Sequence, residues 1–257
     1  MFHDLTIATA LFLLAASFFA GFIDSIAGGG GLIQLPALLI GLPKSDTVEV
    51  LGTNKLSAVF GTTTAAALYR KQIKPDPKIL IAMGLPAFVG SAGGAVLASK
   101  IPTNSMRPMV LVLLIIVAIY TWFKPDLGKF ENLRHLPKRR VQIAAFAGVV
   151  IGFYDGIFGP GTGSFLMLIL VASLGYAFIT ASAIAKVVNV ATNVGAIMVF
   201  GINGAVIWQI GIILGVANIS GAVIGARLAI KGGSTLVRKV FLFVTVALIV
   251  KVGIATF

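Results

Sequence analysis

Two aspartates and two lysines stand inside apolar stretches of this chain: Asp24, Lys55, Asp155 and Lys186. A charge at mid-membrane costs roughly 2.5–3.5 kcal/mol on insertion scales, so each of these residues needs a compensating role. Buried ammonium groups can hold an anion. Buried carboxylates can neutralise an ammonium or take up and release a proton. Hydrogen-bonding side chains surround them. Thr53 and Asn54 precede Lys55, while Ser182, Lys186, Asn189 and Asn193, spaced by 4, 3 and 4, fall on one helical stripe. Glycines follow both aspartates: Gly28, Gly29, Gly30 and Gly31 after Asp24, and Gly159, Gly161 and Gly163, with Ser164, after Asp155. Glycine and proline interrupt helices. An interrupted helix offers backbone amides and a half-helix N-terminus to an anion.

This chemistry is present twice. Gly21-Phe22-Ile23-Asp24 recurs 131 residues later as Gly152-Phe153-Tyr154-Asp155. The same offset carries Lys55 to Lys186, Gly90 to Gly221, Gly94 to Gly225, Lys100 to Lys231 and Arg107 to Arg238. The chain reads as a duplicated unit: a first repeat over 1–123, a basic cytoplasmic linker over 124–140 and a second repeat over 141–257.

The elements that must position these residues are membrane helices. Of 257 residues, 58% are hydrophobic and 11% charged, with a mean hydropathy of +1.04; soluble domains carry about 25% charged residues. Apolar stretches of about 20 residues match the hydrocarbon thickness and lack the alternation of a barrel strand. The spacing predicts spans over 5–26, 31–42, 48–69, 79–99 and 106–123, then 141–158, 163–175, 179–200, 205–230 and 236–256. The second of each set is short, as a re-entrant or discontinuous helix would be. The fold class is therefore an all-α polytopic membrane protein of two repeats with 8–10 membrane segments. The first stretch reads as a retained helix, without a basic leader or cleavage site.

Loop charge gives the relative orientation. If each half crosses five times, basic residues of 70–78, 124–140 and 227–239 lie inside and Lys44, Lys100, Arg107 and Lys251 outside, 14 against 4. If the short segments fail to cross, the balance falls to 11 against 7. The positive-inside rule favours the first arrangement, with inverted repeats. The net charge of +12, which would suggest nucleic acid in a soluble protein, is here explained by span flanks; the expected surroundings are lipid bilayer and no nucleic acid. Gly90-x-x-x-Gly94 and Gly221-x-x-x-Gly225 read as close helix-packing sites.

Two readings of the charged residues compete. In one, Asp24 pairs with Lys55 and Asp155 with Lys186 as neutralising pairs, with asparagines as interhelical glue. In the other, the lysines form an anion site between the repeats, with Asp24 and Asp155 pairing or carrying protons. Gly28–Gly31 lacks the P-loop spacing and its Lys-Ser/Thr ending. Gly161-Thr162-Gly163-Ser164 lacks a base for a serine nucleophile, since the only histidines are His3 and His135. No cysteine is present. An enzyme is not expected, nor a catalytic residue, cofactor or metal.

The residues also resemble the sulfite exporter TauE/SafE family over nearly the whole chain, most closely its YfcA-like branch of bacterial membrane transporters. The resemblance rests on Gly21-Phe22-Ile23-Asp24-Ser25-Ile26-Ala27-Gly28-Gly29-Gly30-Gly31, Gly52-Thr53-Asn54-Lys55, Gly152-Phe153-Tyr154-Asp155-Gly156 and Phe158-Gly159-Pro160-Gly161-Thr162-Gly163-Ser164. It implies a secondary transporter of small, often sulfur-containing anions in the bacterial inner membrane. The expectation is thus proton-coupled secondary transport of a small sulfite- or sulfonate-like anion, with a passive anion channel and a non-transporting scaffold as alternatives. A homo-oligomer is left open.

Overall fold

The computed structural model describes residues 6–101 and 131–256. The span expected at 106–123, and the linker before residue 131, lie outside the described residues. Those described form eight helices and no strand: α1 (Ile7–Ala27), α2 (Gly31–Gly41), α3 (Thr47–Gln72), α4 (Pro77–Ala98), α5 (Pro137–Ile157), α6 (Thr162–Ala172), α7 (Phe178–Ile202) and α8 (Trp208–Thr256). Gly233 interrupts α8 with non-helical backbone, which separates the two apolar stretches expected there.

Local sequence sets the boundaries. Thr6 caps α1 through its hydroxyl, and Gly28 ends it in the left-handed conformation (φ 79°). The Asp46 N–H donates to the Glu49 carboxylate at the start of α3, a reciprocal cap that satisfies an otherwise orphaned donor. Asp76 caps α4, with Pro77 at its first turn, where a missing N–H costs nothing. The short helices α2 and α6 hold 11 residues each, about 16 Å of rise and half the hydrocarbon thickness.

Among the described residues, α1, α4, α5, α7 and the Trp208–Val237 part of α8 are long and apolar enough to cross a membrane. α3 is not in that set, although it has 26 residues. Its polar side chains, Thr53, Asn54, Lys55, Ser57 and Thr62, are buried inside the bundle. Other helices, rather than its own composition, keep it from lipid. The lipid-facing belt comes from exposed side chains such as Ile81, Leu85 and Val89 of α4, Phe146 and Val150 of α5, and Ile212 and Val216 of α8.

Packing follows the glycines. Backbone carbonyls of Met83, Ala87 and Ser91 approach Gly148, Gly152 and Gly156 in turn, so α4 and α5 run parallel. A Cβ on Gly94 would stand 2.1 Å from the Phe153 carbonyl, and one on Gly225 would stand 2.3 Å from that of Phe22. Both Gly-x-x-x-Gly pairs are thus close-approach surfaces, as expected. α1 lies on α8 in the same way, with Phe18 and Phe22 against Gly221 and Gly225. α1 and α3 are parallel, since Ser17 meets Ser57 and Ser25 meets Tyr69. α3 and α7 cross antiparallel at the centre, where Tyr69 meets Ser182 and Thr62 meets Asn193. Two apolar clusters fill the bundle towards its two ends, one around Tyr69, Met83, Leu166 and Ile184, the other around Leu13, Leu38, Leu51 and Phe200.

Candidate functional site: crossed ion pairs at the helix breaks

The four intramembrane charges form two ion pairs, and each pair crosses between the halves. Lys55 of α3 reaches Asp155 of α5, Nζ to Oδ1 2.7 Å; Lys186 of α7 reaches Asp24 of α1, Nζ to Oδ2 2.9 Å. This corrects the pairing expected within each half. The reason lies in the fold: α1 is packed on α8 and α4 on α5, so each aspartate faces the third helix of the opposite half.

The glycine breaks meet in the same place. The Ser164 N–H donates to the Gly28 carbonyl at 3.1 Å, and the Ser164 hydroxyl donates to the Ala27 carbonyl at 2.9 Å. Gly28 and Gly163 touch backbone to backbone, and Gly31 faces Pro160. Gly159 sits against the Lys55 ammonium with φ 89°, and a Cβ there would stand 2.5 Å from Nζ; only glycine fits both the conformation and the contact. Three of the backbone amides expected to face an anion are engaged: that of Ser164 by the Gly28 carbonyl, that of Gly28 by the Asp24 carbonyl at 2.8 Å, and that of Gly30 by Asp24 Oδ1 at 3.3 Å.

The polar residues of α3 and α7 divide. Asn54 is buried, and its Oδ1 has no hydrogen-bond partner. It lies on the arc of α3 between Lys55, which reaches α5, and Ser57, which faces α1 and α2. Asn189 accepts from the Thr192 hydroxyl one turn on, and Asn193 donates to Thr62 at 3.4 Å. Thr53 is not brought to the charges. Its hydroxyl accepts the Ile207 N–H at 3.0 Å and fixes the start of α8. Gly29 and Gly161 complete the breaks, the latter left-handed (φ 80°) before α6.

Sequence reasoning missed a second buried polar cluster. Gln34 of α2 donates to Ser17 and Ser57, at 3.2 and 2.6 Å, and accepts from Asn218 of α8 at 3.2 Å. Ser17 donates to the Leu214 carbonyl, and Asn218 to that of Ser17. The available signal was the type of these residues: an uncharged amide amid apolar sequence also demands a partner in lipid.

Two open clefts flank this centre. One of about 870 Å³ lies where α3 begins and α4 and α7 end, beside Asp46, Glu49 and Lys100. One of about 730 Å³ lies where α3 ends and α4 begins, beside Arg70 and Lys74. None of the four paired charges lines either cleft. Lys55, Lys186 and Asp155 are at most 3% exposed, and Asp24 is 17% exposed.

The family model for the sulfite exporter TauE/SafE family matches residues 13–252. The chain belongs to this family. It is 39% identical over 250 residues to a probable membrane transporter protein, ORF9, of Sinorhizobium sp, covering 97% of this chain and 94% of that one. It is 37% identical over 257 residues to the probable membrane transporter protein YfcA of Escherichia coli strain K12, covering 97% and 93%. A probable membrane transporter protein of Haemophilus influenzae is 36% identical over 239 residues, 91% of each chain. No solved structure matches. Membership in the family makes the protein a multi-pass membrane transporter rather than an enzyme, and its crossed ion pairs lie within the matched region.

Proposed function

We propose that this chain is a secondary active carrier of small anions in the bacterial inner membrane, coupled to proton movement and built from two inverted repeats. The observation that carries this reading is the pair of buried Asp–Lys bridges, each joining one half to the other. Rocking one half against the other separates an ammonium from its carboxylate. Removing one partner of a buried pair costs about 3–5 kcal/mol. An anion on the lysine and a proton on the aspartate offset that cost together. Motion is then favoured when both are bound.

Inversion is supported by the register of the helices. α3 and α7 occupy equivalent places at the 131-residue offset and cross antiparallel, and loop charge favours the same arrangement. A sulfur-containing substrate is supported by the family's description alone. Lys55 and Lys186 would hold the anion. Asn54, Asn189 and Asn193, and the glycine breaks with Ser164, would line its place once the halves part. The burial of Lys55, Lys186 and Asp155 supports a carrier over a standing channel. Close pairing would also suit a static scaffold, and the family membership decides against that.

Flux in proteoliposomes tests the reading with sulfite, sulfonates, thiosulfate and carboxylates, each with and without a pH gradient. Accumulation against a gradient is expected for at least one anion. Lys55→Ala and Lys186→Ala are expected to abolish it. Undiminished transport in both variants would reject the lysines' role, and conductance without accumulation would make the protein a channel.

A further inference from the structure

We propose that the two aspartates do different work: Asp155 is the proton-binding group, and Asp24 stays ionised as the partner of Lys186. The inference rests on the carrier reading and adds which carboxylate titrates. Its basis is an asymmetry in how the two carboxylates are satisfied.

Asp24 has both oxygens engaged. Oδ1 accepts the Gly30 N–H and Oδ2 accepts from Lys186, which also donates to the Asp24 backbone carbonyl. Its side chain is 17% exposed. Asp155 is 2% exposed, and both of its donors crowd onto one oxygen. Lys55 stands 2.7 Å from Oδ1, and the Thr162 hydroxyl donates to the same Oδ1 at 2.5 Å. Oδ2 of Asp155 is buried with no partner. A buried charged oxygen without a donor is far costlier than a neutral hydroxyl in the same place. A proton on Oδ2 removes that cost and leaves Oδ1 able to accept from Thr162, while the attraction that holds Lys55 is weakened.

The difference has a cause in the sequence. The position equivalent to Thr162 in the first half is Gly31, which has no hydroxyl to give. The first carboxylate is therefore met by a backbone amide on one oxygen and an ammonium on the other. The second is met twice on one side.

Among the described residues, few other charges surround Asp155. Across the break from α3 comes Lys55; the Asp24–Lys186 pair lies beyond, from α1 and α7. The neighbouring Tyr154 donates to the Pro160 carbonyl at 2.5 Å. α4, packed along α5, holds no titratable side chain after Lys78, and α6 holds none. The protonation balance is simple. A proton from the aqueous phase binds Oδ2, Asp155 becomes neutral, and Lys55 is left with an unmatched positive charge that a monoanion takes. One proton and one monoanion cross together, and no net charge moves.

Infrared difference spectra on a pH step, recorded on the purified full chain without substrate, test the assignment. The wild type should show the C=O stretch of a carboxyl that gains and loses its proton while the fold persists. Asp155→Asn should remove that band, Asp24→Asn should keep it, and Asp155→Glu should restore a band with a shifted midpoint, which guards against a misfolded amide variant. In proteoliposomes, the ratio of pH-driven accumulation to exchange at zero gradient should fall about tenfold in Asp155→Asn and recover in Asp155→Glu. A band absent from the wild type, or one lost in Asp24→Asn and kept in Asp155→Asn, overturns the assignment. So does pH-driven accumulation that survives in Asp155→Asn. A wild type that shows the titrating Asp155 band but moves none of the anions leaves the proton site standing and brings down the carrier reading.

Discussion

At positions 131 residues apart the two halves make the same backbone contacts and different side-chain chemistry. Phe22 lies against Gly225 as Phe153 lies against Gly94, and each aspartate crosses to the lysine of the other half. Yet Ser17, Gln34 and Ser57 of the first half join Asn218 of the second in a polar cluster, while the positions 131 residues away from these four hold Gly148, Phe165, Val188 and Ala87. The second half carries Thr162 on its aspartate where the first has Gly31. Close approach of helices fixes which residues must be small, so it is shared. Polar groups in a dry interior need only be satisfied as a set, so they can differ between halves. α2 is pinned to α1, α3 and α8 by side-chain hydrogen bonds from Gln34, while α6 is tied at its first turn by Thr162 and Ser164 and otherwise rests on apolar packing around Leu166, Met167 and Leu170.

The crossed pairing is the part of this comparison easiest to break. Lys186→Met or Lys55→Met should each destabilise the protein by about 3–5 kcal/mol, because a buried carboxylate loses its counter-charge. Unfolding of the purified protein in lipid or detergent reads this directly. Double-mutant cycles then identify the partners. Coupling should be large for Asp24 with Lys186 and for Asp155 with Lys55, and within about 0.5 kcal/mol for Asp24 with Lys55. The reverse pattern would restore pairing within each half.

Next in size is the Thr162 hydroxyl. Thr162→Val should cost about 1.5–3 kcal/mol, the usual range for a hydrogen bond to a charged group. Gly31 has no side chain to remove, so no substitution in the first half mirrors this loss. A Thr162→Val protein as stable as the wild type would mean that the hydroxyl does not hold Asp155, and the difference between the two carboxylates would shrink accordingly.

Much of this was legible in the residues themselves. Charge in apolar sequence announced the site, glycine runs announced the short helices, and a repeated four-residue spacing of glycines announced where helices touch. Each of these signals is local: it depends on one residue's cost in its own segment. The pairing of Asp24 with Lys186 was not legible, because it depends on which helix of one half lies beside which helix of the other. Thr53 misled for a related reason. Its neighbours Asn54 and Lys55 face the centre, but one residue on a helix is a turn of about 100°, and Thr53 points to the start of α8 instead. The cluster around Gln34 was overlooked because its members are uncharged and scattered over four helices.

That cluster gives a smaller and more discriminating effect. Gln34→Leu or Asn218→Ala alone should cost about 1–3 kcal/mol, since each strands buried partners. Replacing all four by the residues at the equivalent positions of the other half, Ser17→Gly, Gln34→Phe, Ser57→Val and Asn218→Ala, removes donors and acceptors together. The quadruple variant should be closer to wild-type stability than the sum of the singles. Losses that simply add would mean that the polar groups act independently and that the apolar residues of the equivalent positions cannot be transplanted.

The smallest expected effect lies at the centre, where the halves share one bond rather than differ. Asn193 donates to Thr62 at 3.4 Å, close to the limit of a useful hydrogen bond, and it links the antiparallel α3 and α7. Interhelical bonds of this kind in membranes average about 0.6 kcal/mol. A cycle of Thr62→Val and Asn193→Ala should therefore return a coupling near that value. Weakness here is consistent with motion. A strong bond at the crossing of the two central helices would resist one half rocking on the other, whereas the ion pairs can be released by a proton and an anion. A coupling above about 2 kcal/mol, as strong as a hydrogen bond to a charged group, would place a lock at the pivot that neither a proton nor an anion could open.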